Sequence, residues 1–133
     1  MSSLRGEVAI VGAADSRVGI VPDLDANELC ADAILLALDD AGINKDQVDG
    51  LITCNSMSKP MLYHAEAMAE YLQIFPRYCI AAGAGGGTTF SILHHAASAI
   101  VTGMADIIVI AMADSLRSGL TREQSLLAQS ATG

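Results

Sequence analysis

The sequence predicts an α/β chain: a layered, mostly parallel sheet with helices on both faces and a buried central helix. Three observations predict it. Apolar runs of strand length alternate with runs of helical period in the order β-α-β-α-β-α-β, and crossovers between parallel strands are right-handed. The run Ile107-Ile108-Val109-Ile110-Ala111-Met112 is uninterrupted, as in a strand at the centre of a parallel sheet. Aromatics are only 4% of the chain and Trp is absent, so Ala, Ile, Leu, Val and Met must fill the core, which suits close layered packing.

Taken in order, Glu7-Val8-Ala9-Ile10-Val11-Gly12-Ala13 is a short apolar run closed by Gly, the pattern of a strand buried on both faces. Asp25 followed by Glu28 makes a capping-box start, and Leu29, Ala33, Leu36 and Ala37 recur at helical spacing before Gly42, predicting a helix over 26–41. Residues 48–55, centred on Leu51-Ile52-Thr53-Cys54, read as the second strand. Leu62, Ala65, Met68, Ala69 and Leu72 give a second helix. Pro76 holds Phe75 extended, and Tyr78-Cys79-Ile80-Ala81-Ala82 is a third strand running into Gly83-Ala84-Gly85-Gly86-Gly87. Thr88 or Thr89 caps the next helix, which is apolar around most of its circumference and ends at Gly103; such a helix is normally buried. Asp106 then precedes the fourth strand. Residues 1–114 are read as one unit. Residues 115–133, with Thr121-Arg122-Glu123-Gln124 and Leu126-Leu127-Ala128, form a short amphipathic start of a loop region with no evident packing destination, so the chain is expected to be a fragment of something longer.

Composition excludes several function classes. With 52% hydrophobic and 17% charged residues, the 133-residue chain is too apolar to be disordered. Seven basic against fifteen acidic side chains give a net charge of −8, which repels a phosphate backbone, so no nucleic-acid partner is expected. No apolar run reaches the about 18 to 20 residues of a bilayer span, and the N-terminus has no basic-then-apolar leader, so the expected setting is cytoplasmic, without a membrane. Cys30, Cys54 and Cys79 are odd in number and lack metal-like spacing, predicting reduced thiols and no metal site.

The Gly-rich turn admits two readings. Four glycines between a strand and a helix let backbone N–H groups converge at a helix N-terminus, a place for an anion or oxyanion. Equally, they let a tightly packed helix approach its neighbours. The dinucleotide fingerprint G-x-G-x-x-G fails because Thr88 stands where the third Gly belongs, and the Lys of a P-loop is absent, so nucleotide binding is a weak alternative. Cys54 and Cys79 fall near the turn but are best read as core thiols, and Cys30, on the first helix, as core or helix surface. Adjacent His94 and His95 point about 100° apart and cannot make a one-face metal pair; one is expected to face a polar groove. His64 beside Tyr63 reads as a helix-surface residue.

The stretch Gly85-Gly86-Gly87-Thr88-Thr89-Phe90, followed by His94-His95-Ala96-Ala97-Ser98-Ala99-Ile100-Val101-Thr102-Gly103-Met104-Ala105-Asp106, resembles the thiolase superfamily. There a nucleophile turn opens a helix ending in A-A-x-A-I-x-x-G-x-A-D. Val8-Ala9-Ile10-Val11-Gly12 is similar to the family's first strand. Ala37-Leu38-Asp39-Asp40-Ala41-Gly42-Ile43 and Val48-Asp49-Gly50-Leu51-Ile52 are similar to its A-L-x-D-A-G-I and V-D-G-L-I segments, above all in sterol-carrier-protein-type thiolases and acetyl-CoA acetyltransferase-like members. The resemblance spans residues 6 to 114. It implies the N-terminal half of a layered thiolase fold, acyl-CoA chemistry in lipid metabolism, and a homodimer paired through the third strand, from Arg77 to Ala82.

The departure from the pattern is as informative as the match. The alignment sets Gly86, between Gly85 and Gly87-Thr88, where thiolases carry the cysteine that takes the acyl group, and a glycine cannot form a thioester. The bases of the family come from the other half, so no catalytic residue is assigned here and the chain alone is expected to be inactive. Thiolase-fold lyases that cleave sterol side chains by retro-aldol chemistry lack the cysteine and act with a small OB-fold partner; the turn here is similar to theirs. The implied function is thus carbon–carbon bond cleavage or formation on an acyl-CoA or sterol-CoA substrate, with no cofactor beyond the CoA thioester itself. The alternative is a non-catalytic dimerisation or scaffolding subunit of the same fold.

Overall fold

The computed structural model describes residues 4–119 and 121–130; the last three residues of the 115–133 segment, and Leu120, lie outside them. The first helix forms where its caps predict it. In α1 (Ala26–Ala41) the Asp25 carboxylate accepts from the Asn27 and Glu28 amides while Glu28 takes the Asp25 amide, closing the capping box, and Gly42 ends the helix in the left-handed region. A 3-10 turn, Lys45–Gln47, leads into β1 (Gly50–Thr53). The chain continues through α2 (His64–Leu72), β2 (Tyr78–Ala81), α3 (Thr88–Val101) and β3 (Ile108–Ala111). Two short helices follow, α4 (Leu116–Gly119) and α5 (Arg122–Ser130), where the sequence suggested the start of a loop region. Thr121 and Gln124 exchange side-chain-to-amide bonds at the start of α5.

The three strands form one parallel sheet in the order β2-β1-β3, with Leu51 opposite both Cys79 and Val109. Side chains alternate across it. Leu51 and Val109 join Cys30, Ile34 and Leu38 of α1 and Met68, Ala69 and Leu72 of α2 on one face; Ile52 packs with Ile92 and Ala96 of α3 on the other, flanked by Ile80, Ile108 and Ile110. Helices thus cover both faces, as the fold class requires. Leu51 and Ile52 are fully buried, each contributing about 1.5–3 kcal/mol relative to exposure.

Two expectations need correction. The run from Glu7 to Ala13 forms no strand: Glu7 closes a turn onto Leu4, Val8 to Ala13 pair with no strand among the described residues, and Ile10 and Val11 are 76% and 63% exposed rather than buried on both faces. The segment leans on α1 instead. Ala13 donates its amide to Asp40, and Gly12 lies so close to the helix that a Cβ would fall 2.5 Å from the Ala37 carbonyl oxygen. Apolarity makes a run competent for a sheet, but a strand also needs a neighbour's amides and carbonyls. Second, α3 is covered on its sheet side only: Thr88, Ile92, Ala96 and Ala99 are buried, whereas Phe90 is 79% exposed and Leu93 also faces outward. The sheet supplies one layer, and no described element covers the helix's outer face.

Candidate functional site

The carboxyl ends of parallel strands are where open α/β sheets gather ligands, because the chain leaves every strand there in a loop. Here three such exits meet. From β2 the chain enters the turn at 83–87 and then α3. The Gly87 amide donates to the Ala84 carbonyl and the Thr88 amide to the Gly85 carbonyl, both at 3.1 Å, giving two overlapping tight turns. Gly85 has φ +55°, a conformation that disfavours any side chain. Gly86 does not, and a Cβ built on it would meet nothing within 4 Å. The turn has room for a side chain at 86, and the sequence supplies none.

Thr88 does not cap α3 as expected, and neither does Thr89: the N-cap is Gly87, with no side-chain cap bond. The buried Thr88 hydroxyl instead bridges the turn, accepting from the Ala84 amide at 2.8 Å and donating to the Gly85 carbonyl at 2.7 Å. The Gly85 and Gly86 amides find no acceptor among the described residues and are left for water or a ligand. With the positive end of α3 behind them, such donors suit a developing oxyanion.

Of the three free thiols, only Cys54 adjoins the turn: its Sγ lies 3.7 Å from where a Cβ on Gly83 would sit. Cys30 is in the core, and burial pushes its thiol up to about 11. Burial, and then the Glu66 carboxylate, raise the Cys79 thiol. Neither is activated as a nucleophile, in line with their reading as packing residues. His94 and His95 are both exposed on α3. No group of three His, Cys, Asp or Glu side chains that could hold a metal occurs among the described residues.

His64 is not on the helix surface. It is 2% exposed, with Nδ1 2.8 Å from Oγ1 of fully buried Thr53, and burial lowers its pKa, keeping the ring neutral. Asn55 clasps Met61 through both its amide and carbonyl. Asp114, just beyond β3, accepts from the Ser56 hydroxyl, the Met57 amide, the Ser58 amide and hydroxyl, and the Ser115 amide, at 2.6–3.1 Å. Desolvation would raise this carboxyl, but the Ser58 hydroxyl and the three amides outweigh it and hold Asp114 below its usual range. The contacts to Ser56, Met57 and Ser58 span 56–58 positions between the two loops, and no local pattern in the sequence announces them.

No family model matches the chain. It is 32% identical over 122 residues to the steroid side-chain-cleaving aldolase of Thermomonospora curvata, covering 90% of this chain. It is 34% identical over 119 residues to the 17-hydroxy-3-oxo-4-pregnene-20-carboxyl-CoA lyase of Mycobacterium tuberculosis, covering 88% of this chain. The chain spans 30% of the length of each of these relatives. Among solved structures, the Ltp2-ChsH2(DUF35) aldolase superposes with a TM-score of 0.65 at 28% identity, over 89% of this chain and 30% of that one. The 3-oxoacyl-[acyl-carrier-protein] synthase III of Aquifex aeolicus superposes with a TM-score of 0.63 at 20% identity, over 73% of this chain and 32% of that one. These neighbours share the thiolase fold, whose strand, turn and helix are the ones described above. The chain belongs to the thiolase superfamily, and its fold is that of a thiolase-like N-terminal half.

Proposed function

We propose that this chain is part of a retro-aldol lyase acting on a CoA thioester of sterol type. One observation carries the reading: the turn that opens α3 keeps room at position 86 but holds Gly86 there, in a chain 32% and 34% identical to two sterol side-chain lyases. Covalent acyl transfer needs a thiolate at that place; retro-aldol cleavage does not. In the cleavage a general base removes the proton of a hydroxyl β to the thioester. The carbon–carbon bond breaks, the hydroxyl-bearing carbon leaves as a ketone, and the electron pair passes to the α-carbon as a thioester enolate. Protonation of that carbon completes the acyl-CoA product. The Gly85 and Gly86 amides, steadied by Gly87 and Thr88, are the donors this chain offers to the enolate oxygen. The base is assigned to no residue of this chain, and the CoA thioester enters as substrate rather than cofactor.

Two partners follow from this reading. The open edge of β2 supports a homodimer paired along Arg77 to Ala82, since β2 bonds to β1 on one side only. The aldolase neighbour that carries ChsH2(DUF35) supports an OB-fold partner protein. A CoA substrate and three free thiols fit a cytoplasmic setting, and among the described residues no helix is long and apolar enough to cross a membrane. The test is to assay the complete gene product with a DUF35-type partner on a 17-hydroxy steroid 20-carboxyl-CoA. Release of the 17-ketone supports the lyase; a stable dimer that converts none of it points to the non-catalytic subunit instead.

A further inference from the structure

We propose that Asp114 is a positioning residue of the candidate site, fixing the loop that leaves β1 beside the Gly-rich turn. The inference rests on the lyase reading and deepens it. The loop over residues 54–61 begins at Cys54, whose sulfur abuts Gly83, so its path forms the wall next to the turn. Asp114 gathers three consecutive residues of it: the Ser56 hydroxyl at 3.1 Å, the Met57 amide at 2.7 Å, and the Ser58 hydroxyl and amide at 2.6 and 3.1 Å. Ser56 in turn accepts from the Ser58 and Lys59 amides, and Lys59 pairs with Asp25 at the head of α1. Two carboxylates on different elements therefore hold four successive residues of one loop. The Asp114 site accepts only a carboxylate. Its Oδ1 takes four donors and its Oδ2 a fifth, so whichever way an amide is turned, its NH2 meets another donor.

A merely structural staple of the same kind exists at the other end of the sheet, where Asp49 accepts from the Asp106 and Ile107 amides and from Arg77. That pair makes the test. In the complete gene product with its DUF35-type partner, Asp114→Asn and Asp49→Asn are compared for thermal midpoint, for kcat and KM of ketone release by carbon–carbon cleavage of the CoA thioester, and for hydrogen exchange in peptides covering 54–63 and 83–90. Asp114→Asn is expected to lower kcat/KM at least tenfold and to speed exchange in both peptides. Asp49→Asn, with a similar loss of midpoint, is expected to stay within about twofold of the unmodified protein and to leave both peptides protected. Equal catalytic losses in the two variants, or none in Asp114→Asn, would overturn the inference and leave the lyase reading standing. If the unmodified protein releases no ketone from the CoA thioester, the reading fails and the inference fails with it.

Discussion

Thr53 and His64 meet across the carboxyl end of the sheet, His64 Nδ1 lying 2.8 Å from Thr53 Oγ1 with both side chains buried. The bond joins the end of β1 to the first turn of α2, so the ring sits where a positive charge is unwelcome both for want of water and for the helix's own positive end.

A pH dependence follows. Because burial lowers the His64 pKa in the folded state, above the ordinary value of 6.5 the ring is neutral folded or unfolded and adds no pH dependence. As pH falls below 6.5 the unfolded chain takes up the proton first, so stability falls until the pH passes the lower folded value. The thermal midpoint should therefore drop between pH 7 and pH 5 in the unmodified protein, and less so in His64→Gln. Equal slopes in the two proteins would place the lost stability elsewhere.

The turn makes a prediction that separates neighbouring glycines. Gly85→Ala places a side chain at φ +55° and should cost about 1 kcal/mol. Gly86→Ala meets nothing and should be close to neutral by thermal or urea unfolding. A large loss at 86 would mean that the space there is filled in the working protein.

Edge pairing can be tested without touching the core. The Tyr78 and Ala82 amides bond back to β1, so by strand alternation the exposed Ala81 presents its amide to the open side. Ala81→Pro removes that donor where an edge strand tolerates proline. If β2 pairs with its copy, sedimentation of the complete protein should show the dimer weakened at least tenfold. An unchanged dimer would exclude this edge as the interface.

How far the sequence reads the molecule depends on the range of the interaction. The α1 boundaries are legible because Asp25, Glu28 and Gly42 settle them within one turn of chain. The parallel sheet is legible because Ile108 to Ala111 has no polar face to offer water. The run from Val8 to Val11 misleads because its composition reports competence to pair and not the presence of a partner. His64 is misread because its burial comes from Thr53, eleven residues away on another element, and Asp114 escapes notice because all but one of its donors come from a loop more than fifty positions earlier. At the site, the place of the turn is readable from its glycines, whereas the bridging role of Thr88 depends on how Ala84 and Gly85 fold back over it.

The central claim is that this thiolase-fold turn works without a covalent nucleophile. The most direct measurement is the intact mass of the complete protein, quenched during incubation with its acyl-CoA or β-hydroxyacyl-CoA substrate. The account predicts an unmodified mass throughout turnover, and an acyl adduct only after Gly86→Cys returns a thiol to the vacant position. An acyl adduct on the unmodified protein, at Cys54 or Cys79, would contradict it and restore ordinary thiolase chemistry.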